Sequence, residues 1–286
     1  GRNGAATVLV MRRGRCSALL SWVASAATTA ALGACAGAEP AAPETSAAGR
    51  APRLATVLPD RDSLALVDPE RGVVAELAVG ASPWGVAVSG SRAYVSAARH
   101  VAVVDLSRRR VIARVPYRTR VERVERGEYR RGGMGIATSR NGRWVYVGVH
   151  TGGRGVLEIL DTRRLSMTRT ARIGVRPFDV LAAPRGRAVY TVDHDSYGVT
   201  QVDARDGSTR TFPVAPLGRG AFDKLNYGAL DARGRLLLPI NGELLAILDP
   251  GTGRVAERPM RARVHQAGVA RRGSRLLTVG AEALGG

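Results

Sequence analysis

The chain is almost without lysine. Of its 43 basic residues only Lys224 is not an arginine, and against 24 acids they leave a formal charge of +19. Basic residues scattered over many turns form no single stripe, so the charge by itself does not select a nucleic-acid partner. Aromatics make up only 5% of the residues, so Val, Leu and Ala have to fill any core. Cysteine occurs twice, at Cys16 and Cys35, and the rest of the chain is expected to hold neither a disulfide nor a thiolate ligand. The motifs of several chemistries are missing too: no haem-attachment CxxCH, no nucleophile elbow and no zinc-protease HExxH. GTGRV at Gly251 repeats the turn pattern of ERGVV at Glu70 and lacks the strand–loop–helix setting of a phosphate cradle.

What is present at the front reads as an export leader. Met11 is followed by Arg12, Arg13 and Arg15, then by the uncharged stretch Ala18–Leu32 and by LGAC at Leu32–Cys35. The stretch is too short and too rich in Ala, Ser and Thr for a membrane span. The tetrapeptide resembles a bacterial lipobox, which implies cleavage before Cys35 and a diacylglycerol on its thiol. Ala36–Arg50 is rich in Ala and Pro, without apolar periodicity, as a flexible tether would be. The expected organisation is therefore leader 1–34, lipidated Cys35 and tether 35–50, and a folded domain 51–286.

That domain is a repeat. SPWGVAVSGSRAYV at Ser82 has relatives in GGMGIATSRNGRWVYV from Gly132, RPFDVLAAPRGRAVYT from Arg176, LNYGALDARGRLLLP from Leu225 and HQAGVARRGSRLLTV from His265. The turn glycines 90, 142, 186, 234 and 273 lie 52, 44, 48 and 39 residues apart. Each unit divides into four short strands: an inner one after the aromatic position, one carrying the repeat tyrosine, one ending in aspartate (Asp68, Asp105, Asp161, Asp203, Asp249), and an outer one. Alternating apolar residues between Gly, Asp and Asn turns predict an all-β, antiparallel meander in blades.

The segment DPERGVVAELAVGASPWGVAVSGSRAYV resembles the YVTN-type β-propeller repeat, and the likeness runs from Ala51 to about Val279. It implies four-stranded blades around a channel, of which five are visible, as part of a seven-bladed ring. The competing closure has the inner strand near Val269 completing the first blade. Related propellers include the haem-binding domain of a periplasmic cytochrome nitrite reductase, quinoprotein dehydrogenases and lactonases.

Turns of a meander alternate between the faces of the ring, which places the candidate site on one rim. Trp84, Met134, Phe178, Tyr227 and His265 fall on this side, and Trp84, Phe178 and Tyr227 occupy one repeat position. His150 and His194 each follow a repeat tyrosine by four residues. Asp179 replaces the glycine of SPWGVAV, with Arg176 close by. Two insertions emerge on this side, Arg118–Gly133 and Pro216–Asn226. Tyr117 and Tyr129 with their neighbouring arginines could grip an anion there. The five aspartates are expected to be turn formers.

The functional expectation is a lipid-anchored, extracytoplasmic binding or scaffold module, monomeric, for an envelope protein or small ligand, with no cofactor, metal or nucleic acid. The alternative is a redox-associated or hydrolytic propeller. Cys35→Ala checks the anchor: incorporation of labelled fatty acid should disappear, and retained label would refute lipidation at that thiol.

Overall fold

The computed structural model describes residues 54–184, 186, 188–214, 224–240, 242–264, 268–272 and 275–279. Cys35 and the leader lie outside them. The elements are strands in chain order, each pairing antiparallel with its neighbour. The first sheet has three: β1 (Leu54–Leu58), β2 (Ser63–Asp68) and β3 (Gly72–Ala78). Four-stranded blades follow: β4 (Gly85–Ser89), β5 (Arg92–Ser96), β6 (His100–Asp105) and β7 (Arg110–Pro116); then β8 (Gly132–Thr138), β9 (Trp144–His150), β10 (Gly155–Asp161) and β11 (Ser166–Ile173). The next are β12 (Pro177–Ala182), β13 (Ala188–Asp193), β14 (Gly198–Asp203) and β15 (Thr209–Pro213), and β16 (Ala229–Leu230), β17 (Leu236–Ile240), β18 (Gly242–Leu248) and β19 (Val255–Val264). The last sheet pairs β20 (Gly268–Arg272) with β21 (Arg275–Val279). β20 thus belongs to a sheet of its own and does not pair with β1, so the closure in which it completes the first blade is not the one observed.

Each blade is held by the aspartate that ends its third strand. One carboxylate oxygen of Asp68, Asp105, Asp161, Asp203 and Asp249 accepts the amide two residues on, at 2.7–2.9 Å. These are Asx turns, where a short acceptor satisfies donors that the tight corner leaves free. The repeated acid is structural.

Blades pack through apolar faces, and the pattern of buried residues follows the strand alternation. Val101, Val103, Val145 and Val147 with Tyr94 fill the seam between the second and third blades. Tyr190, Leu236, Leu238 and Leu248 fill that between the fourth and fifth. Toward the axis the inner strands come so close that side chains are excluded. A Cβ on Gly135 would lie 2.5 Å from the backbone of Asp179, in the next blade, and one on Gly85 would lie 3.0 Å from Ile136. Asp179 takes the glycine position in its own blade and turns its carboxylate sideways, where it accepts the amide of Gly228, the counterpart residue of the fifth blade, at 3.0 Å.

Replacing Gly135 by alanine should therefore destabilise the domain by about 1–3 kcal/mol, since backbone rather than a flexible side chain must yield. Gly153→Ala, with nothing within 4 Å of its Cβ, should be close to neutral. Chemical denaturation midpoints of the two variants give the comparison; equal midpoints would contradict axial crowding.

Candidate functional site

The mouth of the channel is closed by side chains from three blades. Trp84, which precedes β4, donates its indole N–H to the carbonyl of Phe178 at 3.2 Å, and the two rings lie 5.0 Å apart. Met134 from the intervening blade completes this buried cluster. Below it, Gly85, Gly135, Asp179 and Tyr227 line a space of about 30 Å³, enough for a water molecule and little more. Burial pushes the Asp179 carboxyl up to about 6. Burial, reinforced by Asp179, also raises the Tyr227 hydroxyl.

The predicted histidine joins the cluster from the side. His194 sits in a one-turn 3-10 helix, His194–Ser196, after β13, and its ring stacks on Phe178 at 4.1 Å. Its Nδ1 lies 2.8 Å from Asp195 Oδ1. Burial raises the Asp195 carboxyl, but hydrogen bonds from Lys224 and His194 and the charge of Arg176 outweigh it and hold the group below its usual value. An ionised Asp195 can only accept, so Nδ1 carries the proton and Nε2 keeps its lone pair. Burial drives His194 down to about 4, against the pull of Asp195.

Asp195 gathers cations. Lys224 Nζ lies 3.0 Å from one of its oxygens and Arg176 Nη1 3.0 Å from the other. Arg176 is only 9% exposed, and its Nε and Nη1 are buried without an aligned hydrogen-bond acceptor. It holds a left-handed backbone, φ 57°, in the position that Ser82 takes two blades earlier with φ 51°. A residue before proline avoids the helical region, so this corner is set by the blade rather than by the side chain it presents. The Arg176 guanidinium lies 4.1 Å from the centre of the Tyr129 ring. His150, the last residue of β9, is buried with Nδ1 unpartnered. Burial and the charge of Arg176 lower it to about 4.

Over this cluster runs the 118–131 insertion, a strap touching four blades. The Thr119 amide donates to the buried Glu158 at 2.7 Å, and Arg126 makes paired bonds to Asp62 at 2.8 Å and one to the Pro59 carbonyl. Tyr129, 59% exposed, covers Arg176 and meets His194 edge-on. Arg130 is 2% exposed, 5.6 Å from the centre of the Trp84 ring, and donates to the carbonyls of Arg131 and Gly133. Burial lowers it to about 10. The expectation that Tyr117 grips an outside anion is corrected here: it is buried, with its hydroxyl donating to the Ala97 carbonyl. Arg118 is exposed and donates to the Thr168 carbonyl.

The structure thus brings together Trp84, Phe178, His194 and Arg176, puts Asp179 and Tyr227 beneath them, and sets His150 within the field of Arg176. His265 and residues 215–223 of the second insertion lie outside the described residues. Sequence reasoning missed Asp195 and Lys224. Lys224 carried a signal, as the chain's single lysine. Among the described residues no group of three His, Cys, Asp or Glu side chains is arranged for a metal ion.

No protein-family model matches the chain, and no curated protein matches it. Solved structures do. Hydrazine synthase of Kuenenia stuttgartiensis is 17% identical, with a TM-score of 0.64 and 80% of each chain covered. The fold is a β-propeller. A 6-phosphogluconolactonase-like protein of Bacteroides uniformis is 16% identical with a TM-score of 0.58, covering 79% of this chain and 73% of that one. Dihydro-haem d1 dehydrogenase NirN, solved in complex with DHE, is 20% identical with a TM-score of 0.55. The likeness covers 78% of this propeller and 48% of NirN, so the chain spans about half of that protein's length.

Protonation of the mouth has a defined sign. The unfolded chain protonates its histidines near 6.5 and the folded one near 4 at His150 and His194, so these groups weaken the fold as pH falls through that window. Buried Asp193, raised from 3.8 to about 7 by burial, acts oppositely and favours the fold below about 7. NMR titration should find both imidazoles neutral at pH 5.5, and Asp195→Asn should lower His194 further. An ordinary histidine titration near 6.5 would refute the buried mouth.

Proposed function

We propose that this chain is a YVTN-type, lipid-anchored binding propeller on the extracytoplasmic side, periplasmic or at the cell surface, and that its strapped mouth receives the acidic group of a small ligand. The export leader and tether support the location. The observation that carries the binding reading is Arg176: a nearly buried guanidinium with two nitrogens lacking an aligned acceptor, beside Lys224 and under an aromatic ring. Leaving charged donors unmatched in a low-dielectric site is costly. A carboxylate or phosphate oxygen entering under Tyr129 removes that cost and gains charge-assisted bonds. The channel below is too small to hold a ligand body, so the body lies over the rim against Tyr129, and the strap lifts to admit the acid.

A second reading, hydrolysis, is favoured by the His194–Asp195 pair, which has the base-and-orienter arrangement of acyl-transfer sites. Its weakness is basicity. An imidazole held at about 4 is far from the near-neutral value at which proton abstraction is efficient. A haem-linked reading fits the residues less well, since ordinary ligand pockets hold about 300–1,000 Å³ and the mouth cavity holds about 30 Å³.

Thermal scans against a panel of carboxylic acids and phosphate esters test the binding reading. At least one acid should raise the melting temperature at millimolar concentration, and Arg176→Gln should abolish the shift while Arg176→Lys retains part of it. No response across the panel, or an undiminished response in Arg176→Gln, would overturn the assignment.

A further inference from the structure

The face opposite the strap carries a cleft of about 880 Å³ between the blade of β8–β11 and the blade of β12–β15. Trp144, Tyr146 and Ile159 wall it on the third-blade side, and the fourth blade faces them with two small side chains, Ala182 and Ala204, which leave the seam open at this edge.

The cleft has an apolar floor, with Tyr146 and Ile159 from one side and the alanines from the other. Arginines stand around it: Arg140, Arg143, Arg164, Arg169 and Arg205, against the single carboxylate of Asp161. The cleft therefore carries a local excess of positive charge. Asp161 is already engaged by Arg143 at 2.6 Å and by two turn amides. Arg169 donates to the Ala204 carbonyl and lies in the field of Asp206, just outside the cleft. Arg140 and Arg205 have no side-chain hydrogen bond or ion pair among the described residues. The Arg143 guanidinium lies 5.2 Å from the centre of the half-buried Trp144 ring. Tryptophan, tyrosine and arginine around a partly desolvated cleft are the residue types that dominate binding energy at protein interfaces.

We propose that this cleft is a docking site for an acidic polypeptide segment. The occupant must bring carboxylates for the rim and an apolar side chain for the floor. A segment alternating glutamate with leucine satisfies both, whereas a free phosphate leaves the floor unfilled. The segment lies in an extended form across the seam, one apolar side chain inserted where Ala182 and Ala204 leave room and its carboxylates on Arg140 and Arg205. The site is separate from the mouth.

The test uses the full chain labelled with 5-fluorotryptophan, whose resonances from Trp22, Trp84 and Trp144 are assigned with Trp144→Phe. The probe is the blocked hexapeptide Glu-Leu-Glu-Glu-Leu-Glu, with its lysine counterpart as control. The acidic peptide should move the Trp144 resonance and leave Trp84 in place, and the lysine peptide should move neither. Arg140→Glu with Arg205→Glu should weaken binding at least about tenfold, as should raising the salt from about 50 to 300 mM. Ala204→Leu, which fills the cleft from its fourth-blade wall, should block the shift while keeping every arginine. An unmoved Trp144 at millimolar peptide, equal affinity in the charge-reversed variant, or displacement of the peptide by a tighter-binding single-stranded oligonucleotide would each overturn the proposal. A shift of Trp84 alone would also overturn it, by placing the peptide at the mouth.

Discussion

The contact on which this propeller depends is the approach of inner strands at the axis, where a side chain on Gly135 would meet the backbone of Asp179. Wedges that touch along their narrow edges diverge toward the outside, so the side-chain volume between blades must grow with distance from the axis. Glycine at the inner position and Val, Leu and Tyr farther out meet that demand. Both candidate sites follow from the same geometry. At the axis the strands leave no room for a ligand, so recognition moves up to the loops of the mouth. At the periphery two small residues, Ala182 and Ala204, are enough to leave a cleft.

The mouth shows how a rigid ring holds charges that the interior would otherwise reject. Arg130 is buried without a carboxylate partner because the strap supplies carbonyl oxygens and Trp84 supplies a ring face. Arg176 is less well matched. It shares Asp195 with Lys224 and His194, and while the carboxylate has sites for three donors, Arg176 Nε and Nη1 are left without an aligned acceptor. The imbalance concerns directed donors more than net charge, which is why an oxyanion suits the site better than a neutral ligand.

Much of this was legible in the sequence, for a physical reason. Strand identity and turn aspartates recur from unit to unit, the crowded glycine recurs in all but the unit holding Asp179, and five noisy copies average to a clear pattern. The strands β4 to β21 fall where the repeat places them, and the Asx role of Asp68, Asp105, Asp161, Asp203 and Asp249 follows from their spacing before tight turns. The rim was half legible. The repeat put Trp84, Phe178 and His194 on one side, yet it could not say that Tyr117 turns inward while Tyr129 turns outward. That choice is made by strap contacts to distant blades, Thr119 on Glu158 and Arg126 on Asp62, which no local pattern encodes.

Asp195 and Lys224 illustrate the limit more sharply. Neither occupies a position shared by all blades; Asp195 belongs to a one-turn helix found also at Pro59–Arg61, and Lys224 to an insertion. A repeat aligns what is common, and specific chemistry resides in what is not. Ala182 and Ala204 are the converse case, since they stand inside the repeat and matter because they are small. A propeller sequence is therefore read best in two passes. The shared residues give the ring, and the departures from them, whether an added charge at the mouth or missing volume in a seam, give the places where something else can bind.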